Sequence, residues 1–173
     1  LVRDGAYYLD AFFDTYRALG VQNFAFIDNG STDDTIARIM AEPGTRIDQC
    51  ALPLAHYEDL LRQYPAHAYG TDRWCFYIDM DEVFDMPGLR QIGLPGLTHY
   101  LEAQGATALV AQMLEMFPKA PLADMAHLSF AQAVVAFHYF DISTIDRHAY
   151  HSADIPFAAL LADNTVPSDD IAF

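Results

Sequence analysis

Residues 23–35 read NFAFIDNGSTDDT, an apolar run that leads directly into a polar, acidic turn. The apolar part is typical of a short buried strand. Ser31 or Thr32 can cap a helix that follows, and the aspartates next in sequence suit the positive N-terminal end of that helix. The stretch therefore predicts a strand, a turn and a helix that runs to about Met40.

The segments around this stretch continue the alternation of helical and strand patterns. Apolar residues at helical spacing predict helices over 6–19, 55–64 and 95–104. Short apolar runs bounded by turn residues predict strands over 46–52, 74–78, 107–114 and 133–140. Gly20 suits a left-handed helix cap, and Pro65 is expected to interrupt the helix that precedes it. A further helix is expected over 156–162.

Strands that alternate with helices predict an α/β fold with a largely parallel sheet. Ligands of such sheets bind beyond the carboxyl ends of the strands. Two acidic turns are predicted at such ends, one at Asp28 and one over residues 79–82. Phe12, Phe13 and Tyr16 are expected in the core, as are Phe76 and Tyr77.

The composition narrows the function classes. The chain has 173 residues, 53% of them hydrophobic, and a formal net charge of −15. A chain this acidic has few lysines and arginines, which disfavours a nucleic-acid partner or an anionic membrane surface. Cys50 and Cys75 predict buried thiols in a reducing compartment rather than a disulfide framework. No integral membrane segment or signal peptide is predicted, and the expected location is the cytoplasm or the periphery of the inner membrane.

The motif Asp79-Met80-Asp81-Glu82 follows the apolar run WCFYI and is the most informative chemical feature. Two carboxylates two residues apart on a turn can face one divalent cation, because such cations prefer oxygen ligands. The cation could then neutralise a diphosphate. A solvated acidic turn is the alternative interpretation, since aspartate is common in turns.

The run RALGVQNFAFIDNGSTDDT, followed by WCFYIDMDEVF at residues 74–84, closely resembles family 2-type glycosyltransferases of the GT-A fold. Within them it is most similar to a bacterial subgroup with DNxSTDxT and DxDEF motifs. The resemblance covers about residues 3–117 and includes LPGLTHYLEAQGA (94–106) and ALVAQMLEMFPKAPL (108–122). It implies a Rossmann-like nucleotide-diphospho-sugar transferase fold, with a mostly parallel central sheet flanked by helices. It further implies a nucleotide-sugar-binding core over 1–117, with its first strand truncated, and an abbreviated acceptor-side segment over 118–173.

The resemblance also implies roles for single residues. Asp28 matches the residue that binds the base of a nucleotide-sugar donor, and Val2 and Arg3 lie where the first strand ends beside that base. Asp79 matches the first carboxylate of the DxD motif, near the ribose and the metal. Asp81 matches the second, a direct ligand of Mn²⁺ or Mg²⁺.

Supporting residues follow from the same resemblance. Asn29 and Glu82 belong to the two motifs and are expected to support the site. Glu115 is a candidate general base for deprotonating an acceptor hydroxyl. His138 is a candidate further metal ligand. Two departures stand out: Asp4-Gly5 replaces the usual Asn-Glu, and Val83-Phe84 replaces Phe-Leu.

The expected function is metal-dependent transfer of a sugar from a nucleotide-diphosphate donor to an unknown acceptor hydroxyl, in bacterial surface polysaccharide or glycoconjugate synthesis. One alternative is a haloacid-dehalogenase-type phosphatase, which FYIDMDEVFD also resembles. Asp79 and Asp81 would then be its nucleophile and general acid, with Lys119 and the Asp169–Asp170 pair in support. The phosphatase interpretation leaves DNGSTDDT unexplained. The other alternative is a degenerate domain that binds a nucleotide-sugar without turnover.

Overall fold

The computed structural model describes residues 1–143 of the chain. Two compact units divide the chain, Leu1–Thr107 and Ala108–Phe173. The predicted helix over 156–162 and the Asp169–Asp170 pair lie outside the described residues. Within the described residues, no helix combines the length and the apolar character needed to cross a bilayer.

The first unit is an α/β structure, as predicted. Its elements in chain order are α1 (Leu9–Ala18), β1 (Phe24–Asp28), α2 (Thr35–Ala41), β2 (Thr45–Gln49), α3 (Leu54–Tyr69) and α4 (Leu89–Ala103). Strands β1 and β2 pair in parallel, from Phe24 opposite Thr45 to Asp28 opposite Gln49. On the other edge of β1, Val2 forms a parallel bridge with Asp28. Three chain segments therefore reach the carboxyl end of β1 side by side.

Helix α1 supplies the aromatic half of the core. Its Phe12 and Phe13 rings lie 5.1–6.0 Å from those of Phe24 and Phe26 on β1. Tyr16 is also fully buried. Burial of each such ring stabilises the fold by roughly 1.5–3 kcal/mol. The predicted core positions on α1 are confirmed, and Gly20 takes the expected left-handed conformation with φ of 98°.

The strand predicted over 74–78 is not formed. The segment joins no ladder, and two of its aromatic side chains are exposed, Phe76 by 41% and Tyr77 by 47%. Side-chain contacts hold it instead, since the Phe76 ring lies 5.6 Å from Tyr16 and 5.1 Å from Phe84. An apolar, aromatic run predicts extended backbone, but it carries no information about which strand is available to pair with it.

Helix boundaries differ from the prediction in two places. Helix α2 begins at Thr35 with Asp34 as N-cap, so neither Ser31 nor Thr32 caps it. Helix α3 continues through Pro65 to Tyr69. A proline inside a helix removes one backbone donor, and the longer helix accommodates that single loss. Helix α4 bends at Gly93, where φ is 63°, and its second half begins at Pro95 as predicted.

The described part of the second unit contains no strand of its own. Residues 107–114, predicted as a strand, form no ladder. The first half of the strand predicted over 133–140 is instead the end of helix α5 (Phe130–Ala136), which begins with a capping box of Ser129 and Gln132. That polar signal competes with the β-branched pair in AVVAFHYF and prevails, because it satisfies the first donors of the helix. Phe117 and Tyr139 form one antiparallel bridge.

The prediction of two buried thiols was wrong. Both cysteines are free, Cys75 is exposed and Cys50 is half-buried. Cys75 lies in the segment that fails to join a sheet, and the expected burial depended on that pairing.

Candidate functional site

A cleft of about 590 Å³ opens at the carboxyl end of the β1 segment. Its walls come from the N-terminal residues, the turn after β1, the loop after β2, Arg62 of α3 and the acidic turn at 79–81. Five of the predicted site residues line it: Val2, Arg3, Asn29, Asp79 and Asp81. Residues far apart in sequence therefore meet where an α/β fold places its ligands.

Asp28 lies beneath the cleft, only 1% exposed. Its carboxylate accepts hydrogen bonds from the backbone N–H of Gly30 at 3.2 Å and of Ser31 at 3.1 Å. Gln49 Nε2 approaches the same carboxylate at 3.5 Å. Asp28 thus shapes the turn after β1 by accepting from two of its backbone donors.

Asp4 caps the same turn from the N-terminal segment. Its carboxylate accepts from the backbone N–H of Thr32 at 2.6 Å and of Asp33 at 3.3 Å. Its own N–H donates to Ser31 Oγ at 3.0 Å. The N–H of Thr32 is the main cause that lowers the pKa of Asp4 below its usual value. Asp4 therefore has a structural role at a position where the resembled family has asparagine.

Gly5 occupies a position that has no room for a side chain. A Cβ there would lie 2.7 Å from Val2 Cγ2 and 2.9 Å from Met80 Sδ. Met80 is the middle residue of the DxD motif and is buried. Glycine at this position lets the acidic turn approach the N-terminal segment, and the glutamate usual in the resembled family would not fit without movement.

Asn29 fixes the loop that forms one wall of the cleft. Its Nδ2 donates to the carbonyl oxygens of Cys50 at 2.8 Å and Leu52 at 2.9 Å. Its backbone N–H donates to Val2 O at 2.9 Å. One residue therefore joins both sides of the cleft.

The acidic turn is held from within and from α1. The backbone N–H of Asp79 donates to Glu82 Oε2 at 3.1 Å. Tyr16 Oη donates to Glu82 O at 2.9 Å and accepts from Phe84 N at 3.1 Å. Burial raises the pKa of Tyr16 to about 12, so the hydroxyl keeps its proton for this bond. The turn is thus fixed by a core residue more than sixty positions away in sequence.

Asp79 is paired with a cation, Arg62 of α3. Arg62 Nη1 lies 3.1 Å from both carboxylate oxygens of Asp79. Arg62 also donates to Glu58 Oε1 from Nε at 2.8 Å and hydrogen-bonds to Tyr77 Oη. Tyr77 Oη donates to Asp79 Oδ1 at 2.7 Å, and burial followed by this bond raises the pKa of Tyr77. Burial lowers the pKa of Arg62, but the bonds to Glu58 and Asp79 outweigh burial and leave that pKa raised.

Asp81 differs from Asp79 in having no such partner. Its side chain is exposed on the cleft wall, and no hydrogen bond or ion pair engages its carboxylate among residues 1–143. Its charge acts on Tyr8, another residue of the wall: burial raises the pKa of Tyr8 and the charge of Asp81 adds to that rise. Asp81 is therefore the carboxylate of the motif that is open to a ligand.

The donor set suits a magnesium-type cation that brings other ligands with it. No group of three His, Cys, Asp or Glu side chains within residues 1–143 converges on one point. Such cations often bind through one or two carboxylates, with waters and substrate phosphates completing the shell. Asp79 and Asp81 are the two carboxylates that could hold such a cation, and the Arg62 guanidinium pairs with Asp79 in this structure.

Glu115 and His138 belong to the second unit. Glu115 is exposed in the extended segment before Phe117. His138 is exposed, its Nδ1 lies 3.1 Å from Val135 O and its ring centroid lies 4.2 Å from that of Tyr139. Lys119 Nζ lies 4.8 Å from the Tyr139 ring centroid. The base role of Glu115 and the metal-ligand role of His138 remain predictions.

Sequence reasoning missed Arg62. The spacing of Glu58 and Arg62 on one helix face suggests a mutual pair. Nothing in the sequence connects that helix face to Asp79, because the contact depends on where α3 lies relative to the acidic turn.

The sequence matches no protein-family model, and the comparisons with curated proteins and with solved structures give no match either. The chemistry of the cleft therefore rests on the residues that line it.

Proposed function

We propose that the chain is a metal-dependent glycosyltransferase that moves a sugar from a nucleotide-diphosphate donor to an acceptor hydroxyl, of the kind used in bacterial surface polysaccharide or glycoconjugate synthesis. One observation carries the proposal. The two motifs of the resembled GT-A glycosyltransferases meet in one cleft, where Asn29 of the first faces the same space as Asp79 and Asp81 of the second. A full GT-A sheet is part of this proposal.

The side chains of the cleft fit a diphosphate donor. Asp81 is an exposed carboxylate without a partner among residues 1–143, and Asp79 pairs with the guanidinium of Arg62 on the same cleft wall. Bound Mn²⁺ or Mg²⁺ would supply Lewis-acid stabilisation of the charge that develops on a leaving diphosphate. Arg3 is exposed on the same wall and adds a positive charge near the phosphates.

The first test measures binding. Thermal unfolding of the chain with Mn²⁺ and a panel of nucleoside diphosphates should give a raised Tm for at least one of them, because ligands that bind only the folded state stabilise it. Asp81→Ala should abolish this rise. Asp85→Ala is the matched control, since Asp85 is an exposed carboxylate close by in sequence that does not line the cleft.

The remaining outcomes separate the alternatives. Metal-dependent hydrolysis of an aryl phosphate that Asp79→Asn abolishes would favour the phosphatase and overturn the proposal. Nucleotide binding without sugar transfer or donor hydrolysis would favour a degenerate binding domain. If no nucleoside diphosphate raised the Tm with Mn²⁺ present, the donor site proposed here would be wrong.

A further inference from the structure

The two carboxylates of the acidic turn are unequally neutralised. Arg62 Nη1 bridges both oxygens of Asp79 at 3.1 Å, whereas the carboxylate of Asp81 has no hydrogen-bond or ion-pair partner among the described residues. All three side chains line the same cleft. A divalent cation that bridged the two carboxylates would therefore meet a guanidinium already seated on one of them.

Arg62 has a second anchor that does not involve the acidic turn. Its Nη2 and Nε lie 2.7 and 2.8 Å from Glu58 Oε1, one turn earlier on α3. The Arg62–Asp79 contact, made by Nη1, can therefore break while Glu58 continues to hold the Nε and Nη2 side of the guanidinium at the cleft wall. A guanidinium held in this way presents donors that match phosphate oxygens.

We propose that Arg62 is a positioning residue that exchanges partners: it holds Asp79 when no ligand is bound and turns to the diphosphate when a divalent cation takes Asp79. The exchange couples the two ligands. The cation alone must break the Arg62–Asp79 pair, but the cation together with a diphosphate gives Arg62 a new anionic partner. Binding of each ligand then strengthens binding of the other by the same factor. This inference rests on the proposed function, because it requires a cation and a diphosphate in this cleft.

The test is the affinity for Mn²⁺ by itself, followed by electron paramagnetic resonance of the free ion, without and with a nucleoside diphosphate. Arg62→Gln removes the competing cation, so Mn²⁺ alone should bind roughly two- to fivefold more tightly, the range expected for a partly exposed ion pair. The tightening of Mn²⁺ binding by the nucleoside diphosphate should become smaller than in the unaltered chain. In an Asp79→Asn background, Arg62→Gln should no longer change Mn²⁺ affinity.

Arg46→Gln is the matched control. Arg46 is exposed on β2, its guanidinium lies 4.5 Å from the Tyr69 ring centroid, and it does not line the cleft. Arg46→Gln removes the same unit of positive charge as Arg62→Gln but leaves the Arg62–Asp79 pair in place. Arg62→Lys keeps the charge but loses the planar fork, and its Mn²⁺ affinity should fall between those of the unaltered chain and Arg62→Gln.

The outcomes distinguish the two proposals. If Arg62→Gln binds Mn²⁺ no more tightly than Arg46→Gln does, while the unaltered chain binds Mn²⁺ and nucleotide together, the exchange is wrong and the proposed function stands. If none of the variants binds Mn²⁺ even with nucleotide present, the proposed function fails and the exchange fails with it.

Discussion

The two acidic turns use aspartate side chains in different ways: one set binds backbone N–H groups, and the other faces the cleft. At the turn after β1, the carboxylates of Asp28 and of the neighbouring Asp4 accept hydrogen bonds from the backbone N–H groups of residues 30–33. In the second turn, backbone satisfaction falls to Glu82, which accepts from the N–H of Asp79. Among residues 1–143, the carboxylates of Asp79 and Asp81 accept no backbone N–H: Asp79 pairs with the side chains of Arg62 and Tyr77, and Asp81 is open to the cleft. Aspartate density in a sequence does not separate the two cases, whereas the hydrogen-bond partners do.

This difference has a physical origin. A strand that ends in a tight turn leaves backbone donors without partners, and nearby carboxylates are the acceptors best placed to satisfy them. In the second turn Tyr16 also takes part, bonding to the backbone of Glu82 and Phe84. The carboxylates of the first turn thus have a structural role, whereas the second turn presents the carboxylate of Asp81 to the cleft. Four substitutions can break or sharpen this contrast.

The largest expected effect is that of Asp28→Ala. It removes a carboxylate that is 1% exposed and leaves two backbone N–H groups without their acceptor. The free energy of unfolding should fall by roughly 2–3 kcal/mol. Urea unfolding followed by the fluorescence of Trp74, the only tryptophan of the chain, measures it.

Asp81→Ala is the comparison variant for this measurement. Because Asp81 is exposed and engages no hydrogen bond or ion pair among residues 1–143, its loss should change stability by less than about 0.5 kcal/mol. Equal losses for Asp28→Ala and Asp81→Ala would remove the distinction between the two turns.

Gly5→Ala should cause the next largest loss of stability, because Gly5 is the point where the N-terminal segment lies against the second turn. The new methyl group would meet Val2 Cγ2 at 2.7 Å and Met80 Sδ at 2.9 Å. Overpacking of this kind should cost about 2 kcal/mol in urea unfolding. Met80→Ala should offset part of that cost in the double variant, and strictly additive losses would argue against the contact.

Tyr16→Phe removes the link between the core and the second turn. The buried hydroxyl bonds to the backbone of both Glu82 and Phe84, so its loss should cost about 1 kcal/mol. Since the turn carries Asp79 and Asp81, Mn²⁺ affinity should fall as well. Tyr100→Phe on the exposed Tyr100 of α4, which does not line the cleft, is the control, and an unchanged Mn²⁺ affinity in Tyr16→Phe would indicate that the turn holds its shape without this link.

The smallest effect concerns acid stability of the first turn. The hydrogen bond from Thr32 N–H lowers the pKa of Asp4 in the folded chain below its ordinary value of 3.8. Its ionised form therefore contributes stability above that value, and the contribution disappears as pH falls through the lowered pKa. Asp4→Asn should flatten the loss of Tm as the pH falls below about 4.

Asp14→Asn provides the baseline for that titration. Asp14 is exposed on α1 and forms no hydrogen bond or ion pair among the described residues, so this variant is the control for the loss of one carboxylate. A steeper slope in Asp4→Asn than in Asp14→Asn would contradict the capping role of Asp4.

Local patterns were sufficient for the elements whose partners are close in sequence. Helix α1, strand β1 and strand β2 lie where periodicity and turn residues predict them. The segment 74–78 was predicted as a strand from equally strong apolar content, yet it joins no ladder. Whether such a run joins a sheet depends on an available neighbour, which its own residues do not encode.

The candidate site likewise has features that local sequence predicts and features that only tertiary packing decides. Its motif carboxylates Asp79 and Asp81 and the supporting Asn29 could be identified from residue type and spacing. Their unequal pairing could not, because Arg62 reaches Asp79 from a helix seventeen residues away through packing alone. Gly5 is similar: the approach of Val2 and Met80 explains why no side chain fits there.

By itself, the sequence determined the α/β class, the aromatic face of α1 and the two acidic turns, since these follow from periodicity and turn chemistry over short stretches. The tertiary structure decided which carboxylates accept hydrogen bonds or an ion pair and which face the cleft without a partner among residues 1–143. Backbone donors that lack partners take the nearest acceptors, and the position of every donor and of Arg62 is fixed only when distant segments pack together.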